Sequence, residues 1–152
     1  TMTNPLLSRV ADSMYWMGRY IERAENVARF VDVNLQLMLD LSVGTQEQWE
    51  PLVQIGADDS RFHSLYPVAT KENVIHFLTF DEENPNSILA SLRSARENAR
   101  SIREAISSEM YEQINRLTRT SVADSGGTRR RAAASRIRSA ESGRAGALTV
   151  IG

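Results

Sequence analysis

Apolar and small residues recur every three or four positions in two long segments of the chain. In the first segment, from about residue 6 to 41, this stripe consists of Val10, Met14, Met17, Ile21, Ala24, Ala28, Val31, Leu35 and Met38. In the second, from about residue 86 to 117, it consists of Ile88, Leu92, Ala95, Ala99, Ile102, Ile106, Met110, Ile114 and Leu117. Such spacing places each set on one face of an α-helix. The pattern predicts two long helices, each with an apolar stripe that another element must cover.

Two short helices are predicted between the long ones, from about residue 45 to 55 and from about 70 to 80. Thr45 and Thr70 are each suited to cap the first turn of such a helix. Residues 57–67 are expected to connect them, with one helical turn at 59–65. No segment alternates apolar and polar residues with period two, so no strand is predicted. The expected fold class is all-α, with two long antiparallel helices and two short helices between them.

Gly18 lies inside the first long segment. A glycine in a helix interior costs about 1 kcal/mol relative to alanine. We therefore expect it to have a packing reason, namely the close approach of a neighbouring backbone.

Charge is distributed unevenly along the 152 residues. The net charge is −1, but residues 1–117 hold 11 basic and 17 acidic side chains, whereas residues 118–152 hold 7 basic and 2 acidic ones. The second segment is rich in Arg, Ala, Ser and Gly and has no aromatic residue. Such a composition buries too little apolar surface to offset chain entropy. We expect a helical domain over 1–117 and a disordered tail over 118–152.

Composition and motifs exclude several classes of protein. The chain has no cysteine, which excludes thiol catalysis, a disulfide framework and cysteine zinc sites. It has no apolar run of the eighteen or so residues that a membrane helix needs, and its first residues lack the pattern of a secretory signal. No glycine-rich phosphate loop or other cofactor motif is present, so no cofactor is predicted. The absence of cysteine also fits a reducing compartment.

Neither a metal site nor a nucleic-acid site is predicted. His63 and His76 are isolated, and the spacing of Glu72 to His76 would serve one helix face without a second pair to complete a site. The arginine run 129–131 could contact nucleic acid or an acidic partner, but no aromatic residues interleave with it to stack on bases. The favoured interpretation is a solvated tail.

Polar residues occupy the face of the first helix opposite its stripe. The candidate binding residues there are Tyr15, Arg19, Glu22, Arg23 and Asn26. In one interpretation this face is solvated and its side chains form weak pairs at spacings of three and four. In the other, a second helical layer covers the face and creates a buried polar network, as functional sites often require.

Arginines are concentrated on the second long segment. Arg96 and Arg103 border its apolar stripe, whereas Arg93, Glu97 and Arg100 lie on its outer face. Arg96, Arg100 and Arg103 are therefore candidates for binding a carboxylate or a phosphate. The alternative is an exposed face of salt-bridged side chains.

Several of these motifs resemble the bacterial alpha-E family, an all-α domain named for a Glu-Arg motif. They are SRVADSMYWMGRYIERAENVAR at 8–29, FLTFD at 77–81, NPNSI at 84–88, ARENAR at 95–100 and SSEMYE at 107–112. The motif of the name would be Glu22-Arg23. The resemblance implies a cytoplasmic helical protein whose relatives are encoded beside, or fused to, circularly permuted ATP-grasp proteins and transglutaminase-like proteins. Such systems are proposed to make or modify peptides by amide ligation.

The resemblance leads to three hypotheses about function. The first is a non-catalytic helical module that is the partner of an ATP-grasp-type ligase. The second is a catalytic or substrate-binding subunit, with Glu22 as acid or base in a covered pocket and Arg19, Arg23 and Arg96 holding an anionic substrate. The third is a helical scaffold that forms a homo-oligomer. Family members continue in helix, so the segment after Leu117 is interpreted as a truncated or frame-shifted end.

Overall fold

The fold is all-α, as predicted. A computed structural model of the chain describes residues 5–40, 49–56 and 58–125. Its helices are α1 (Pro5–Asp40), α2 (Glu50–Gly56), α3 (Asp59–Leu65), α4 (Lys71–Thr79) and α5 (Ile88–Ser101). A short 3-10 turn, Arg103–Ala105, follows α5, and residues 108–125 form a further helix, α6. Over these ranges there is no strand, and no helix is long and apolar enough to cross a membrane.

The first long helix matches its prediction closely. α1 begins at Pro5, where the missing N–H of proline costs nothing in a first turn, and extends to Asp40. Most of its predicted stripe is buried or half-buried, but Met14 and Ala28 are exposed. The expectation for Gly18 is wrong, because a Cβ built on this residue has no atom within 4 Å and no backbone approaches it.

The second long helix is not continuous, which corrects the prediction of one helix over 86–117. α5 ends where Ile102 leaves helical geometry, with φ −124° and ψ 26°. The Ser107 hydroxyl then accepts a hydrogen bond from the Met110 N–H at 3.2 Å, as a helix-capping side chain does. The chain reverses between these points. As a result Met110 and Leu117, which were predicted to be core residues, are exposed.

α5 and α6 form an antiparallel hairpin. Arg96 Nε donates to Asn115 Oδ1 at 2.7 Å, and Thr118 Oγ1 lies 3.5 Å from the backbone oxygen of Leu92. Thr118 and Ser125 are buried, so the assignment of residues 118–125 to a disordered tail is wrong. Thr118 meets α5 at Leu92, and the helix continues from there to Ser125. Residues 126–152, which include the arginine run of the predicted tail, lie outside the described residues, as do 41–48.

α1 packs antiparallel to α5, as predicted. Met17 lies against Ala95 and Ala99, and Ser101 Oγ donates to Ser13 Oγ at 3.1 Å near the start of α1. Ile114 of α6 completes this small cluster. Because alanines occupy the centre of the contact, the two helices can lie close together.

Three short helices cover the other end of α1, where two were predicted. The expected turn at 59–65 is the helix α3, capped by the side chain of Asp58, while the side chain of Thr70 caps α4. Their core is an aromatic and aliphatic cluster of Trp49, Val53, Phe62, Tyr66, Val74, Phe77 and Leu78. The second half of α1 packs against this cluster through partly buried residues between Val27 and Met38.

Candidate functional site

The predicted polar face of α1 is exposed to solvent. Four of the predicted residues lie on the side of α1 opposite its contact with α5, and all four are exposed: Tyr15, Arg19, Glu22 and Asn26. Arg19 Nη1 donates to Glu22 Oε2 at 2.6 Å, and the two side chains are 51% and 56% exposed. Solvent screens such a pair, so it contributes little to stability. Within the described residues, no helical layer covers this face.

An aromatic ladder runs along α1 beside that polar face. The rings of Tyr15 and Trp16 meet edge to face with centroids 5.4 Å apart, and Trp16 lies 6.0 Å from Tyr20. The guanidinium of Arg23 is 5.5 Å from the Tyr20 ring centroid, within the range of a cation–π contact. Arg23 is half-buried, so the two residues of the Glu-Arg pair point in different directions.

The hairpin of α5 and α6 holds a second group of polar side chains. Asn115 accepts from Arg96, and the Arg103 guanidinium lies 4.4 Å from the centroid of the Tyr111 ring. A hydrogen bond from Asn115 is the largest cause that lowers the pKa of Tyr111 below its usual 10, and the positive charges of Arg103 and Arg96 add to it. The surroundings of this phenol therefore favour negative charge.

A depression of about 240 Å³ lies between the two helices of the hairpin. It is lined by Arg96 of α5 and by Tyr111, Glu112, Asn115 and Arg119 of α6. No ion pair within the described ranges includes Arg96, Arg103 or Arg119. The depression is therefore bordered by guanidinium groups that no carboxylate of the described residues neutralises directly.

The structure separates the predicted site residues into two groups. Arg19 and Glu22 contact one another on α1, while Arg96 and Arg103 contact side chains of α6. Arg100 is exposed on α5. No hydrogen bond or ion pair in the described part of the chain joins Glu22 to any of these three arginines.

Sequence reasoning missed the residues of α6 that meet Arg96. Tyr111, Asn115 and Arg119 were not predicted as site residues, since a continuous helix would have carried them far from Arg96. One local signal was available: Ser107 followed by Ser108 and Glu109 is a typical helix start.

A histidine and two carboxylates meet where α2 and α3 pack together, so the prediction that His63 is isolated is wrong. His63 Nε2 lies 3.0 Å from Glu50 Oε1, and Nδ1 lies 3.2 Å from Asp59 Oδ1. The possible ligand atoms of the three residues lie within 4.8 Å of one another. Nδ1 also bonds the backbone carbonyl of Asp59, which is the largest cause that raises the pKa of His63 above 6.5; the two carboxylates add to it. This arrangement suits a protonated imidazole between two carboxylates.

His76 likewise has a partner that the sequence did not reveal. The Tyr66 hydroxyl donates to Asp81 Oδ2 at 2.5 Å and lies 2.8 Å from His76 Nδ1. Because a hydroxyl has a single proton, His76 Nδ1 must be the donor in the second bond. Tyr66 and Asp81 are buried, so this network satisfies polar groups in the core.

One family model matches the chain over residues 6–149, and it describes a predicted alpha-helical domain with a conserved ER motif, called Alpha-E. The match continues well past Leu117, into the segment that was interpreted as a departure from the family. No curated protein and no solved structure matches the chain. The dipeptide Glu-Arg occurs once in the sequence, at Glu22-Arg23, in the middle of α1. On this match, and with the all-α fold in agreement, the chain belongs to the Alpha-E family.

Proposed function

We propose that the chain is a non-catalytic helical partner of an ATP-grasp-type ligase that forms amide bonds in peptides, acting in the cytoplasm. The outward face of α1 carries this proposal. Glu22, half of the motif for which the family is described, is 56% exposed there. A side chain that serves the packing of this domain would be buried, so a role outside the domain accounts better for its position.

The residues around Glu22 have the composition of a protein-binding surface. Tyr15 is 59% exposed and Trp16 is 40% exposed on the same half of α1. Tyrosine, tryptophan and arginine are enriched in protein interfaces, because they combine large apolar area with a polar end. The Arg19–Glu22 pair would then lie beside an aromatic anchor and add specificity rather than affinity.

The alternative role, a catalytic or substrate-binding subunit, is less well supported. It requires Glu22 beside Arg96 under a cover that raises the proton affinity of the carboxylate. Glu22 instead pairs with Arg19 in solvent, and Arg96 bonds Asn115 of α6. These contacts favour binding over acid–base chemistry for Glu22.

Co-purification with the ligase tests the proposal. The full chain is co-expressed with an ATP-grasp-type ligase, and the affinity of the purified pair is measured. We expect Tyr15→Ala and Glu22→Arg each to weaken the complex by about tenfold or more, as loss of an interface anchor does.

Glu72→Arg is the matched control, since Glu72 is an exposed acidic residue on α4. It should leave the affinity unchanged. A wild-type chain that does not bind the ligase at low salt would contradict the partner role. Equal weakening by all three variants would contradict the placement of the interface on α1, and light scattering would separate either result from self-association.

A further inference from the structure

The arginines of the described residues differ in whether a carboxylate pairs with them. Arg19, Arg61 and Arg93 each pair with a carboxylate, at 2.6, 3.5 and 3.1 Å. In the described part of the chain, Arg96 and Arg119 have no such pair, although both line the same depression. Guanidinium groups that face one cavity without neutralisation create a positive potential there, which attracts anions.

The side chains around the depression are held in place before any ligand arrives. Arg96 uses Nε to bond Asn115, which orients its guanidinium and leaves its terminal N–H groups available to a ligand. Arg103 lies over the Tyr111 ring at 4.4 Å and is ordered by that contact. When the donors are already ordered, less conformational entropy is lost on binding. The planar guanidinium also matches the geometry of an oxyanion through paired N–H donors.

The size and charge of the depression limit the ligand. Its volume of about 240 Å³ is below the usual range for drug-sized ligands, so a small molecule fits best. Glu112 contributes one negative charge to the lining, against the positive charges of Arg96 and Arg119. Arg103 adds a further positive charge across the Tyr111 ring. The sum remains positive.

We infer that the depression lined by Arg96, Tyr111, Asn115 and Arg119 is a binding site for a small oxyanion, a phosphate or a carboxylate group. Guanidinium binds both through paired N–H donors. Asn115 and the Tyr111 hydroxyl supply neutral polar contacts beside them. The site does not depend on the partner role of α1, because none of its lining residues belongs to α1.

Calorimetric titration of the full chain with inorganic phosphate and, separately, with glutarate tests this inference at constant ionic strength. Arg96→Gln and Arg119→Gln should each weaken binding by about tenfold or more, as expected for loss of charge-assisted hydrogen bonds. Arg93→Gln is the matched control: it removes the same charge from the same helix, but Arg93 is paired with Glu82. It should change affinity by less than about twofold, because Arg93 does not line the depression and its charge is already paired.

Two further measurements give results that a merely structural effect of a substitution would not produce. Glu112→Gln should tighten the binding of either anion, because it removes the one negative charge in the lining. Saturation with the anion should move the ultraviolet titration of Tyr111 to higher pH, since a bound negative charge disfavours the phenolate. Tyr111→Phe identifies which of the tyrosines gives that signal.

The outcomes separate clearly. Binding of phosphate alone, or of glutarate alone, supports the site and identifies which of the two groups it takes. Binding of neither anion by the wild-type chain would overturn the inference. So would equal weakening in Arg93→Gln and Arg96→Gln, because that result would reflect general charge attraction and no defined site.

Discussion

The two halves of α1 lie against different kinds of surface. Its second half packs on the aromatic cluster built by α2, α3 and α4, where the Phe62 ring is 5.1 Å from Tyr66 and 5.2 Å from Phe77. Its first half lies against a seam of small residues, Ala95 and Ala99, with Met17 beside them. One long helix therefore joins a core of large rings to a close contact between helices.

The two surfaces have different roles: one contributes most of the stability, and the other determines the position of the candidate site. Large buried rings remove much apolar area from water and dominate the free energy of folding. Alanines contribute less area, but they allow α5 to lie close to α1 and so determine where the α5–α6 hairpin lies. The candidate anion site is at the end that contributes less to the core.

Truncation of Phe62 should have the largest effect. Phe62→Ala removes a fully buried ring that contacts other aromatic rings, and it should lower the free energy of unfolding by about 3–5 kcal/mol. Urea denaturation followed by circular dichroism measures this. Tyr15→Ala, which truncates an exposed ring on α1, is the control and should change stability by about 0.5 kcal/mol or less. Similar losses of unfolding free energy in both variants would show that the aromatic cluster does not dominate stability.

Enlargement of the seam should have an intermediate effect. Ala99 is fully buried, and Ala99→Leu should force α1 and α5 apart at a cost of about 1–3 kcal/mol. The same denaturation experiment measures it, with Ala123→Leu at an exposed position of α6 as the control. If Ala99→Leu left the free energy of unfolding unchanged, that result would contradict the close packing of α1 against α5 at Ala99.

The smallest effect is expected from His63, at the surface of the aromatic end. The folded-state pKa of His63 is raised above 6.5, so its contribution to stability is fully present below pH 6.5 and is lost as the pH rises through the folded-state value. Wild type and His63→Gln should therefore differ in unfolding free energy at acidic pH and converge at alkaline pH. An NMR titration midpoint at or below 6.5 for the His63 ring would refute this.

Much of the fold was predictable because it depends on local periodicity. The stripe from Val10 to Met38 defines α1, and its partner stripe on α5 predicts the antiparallel contact that is observed. The break after Ser101 was missed because apolar spacing continues through Ile102 and Ile106, and periodicity does not distinguish a straight helix from a hairpin. The cap at Ser107 decides between them.

Contacts within one helix and contacts between elements were not equally predictable. Arg19 and Glu22 are three residues apart, so their pairing follows from helical geometry alone. The contact of Arg96 with Asn115 joins residues far apart in the sequence, and it forms only because the chain reverses after α5. The contact of His63 with Glu50 forms only because two short helices pack together.

The sequence by itself determined the helical class, the extent of α1 and the stripe that it buries, since each follows from side chains a few residues apart on one helix. The tertiary structure decided that α5 and α6 fold back on one another. It also decided which charges are neutralised, because a guanidinium and the carboxylate that pairs with it can lie on different elements of the fold. Arg93 meets Glu82, whereas Arg96 borders an open depression with an amide and a phenol beside it. That reversal brings Arg96 of α5 to the residues of α6 that line the depression with it.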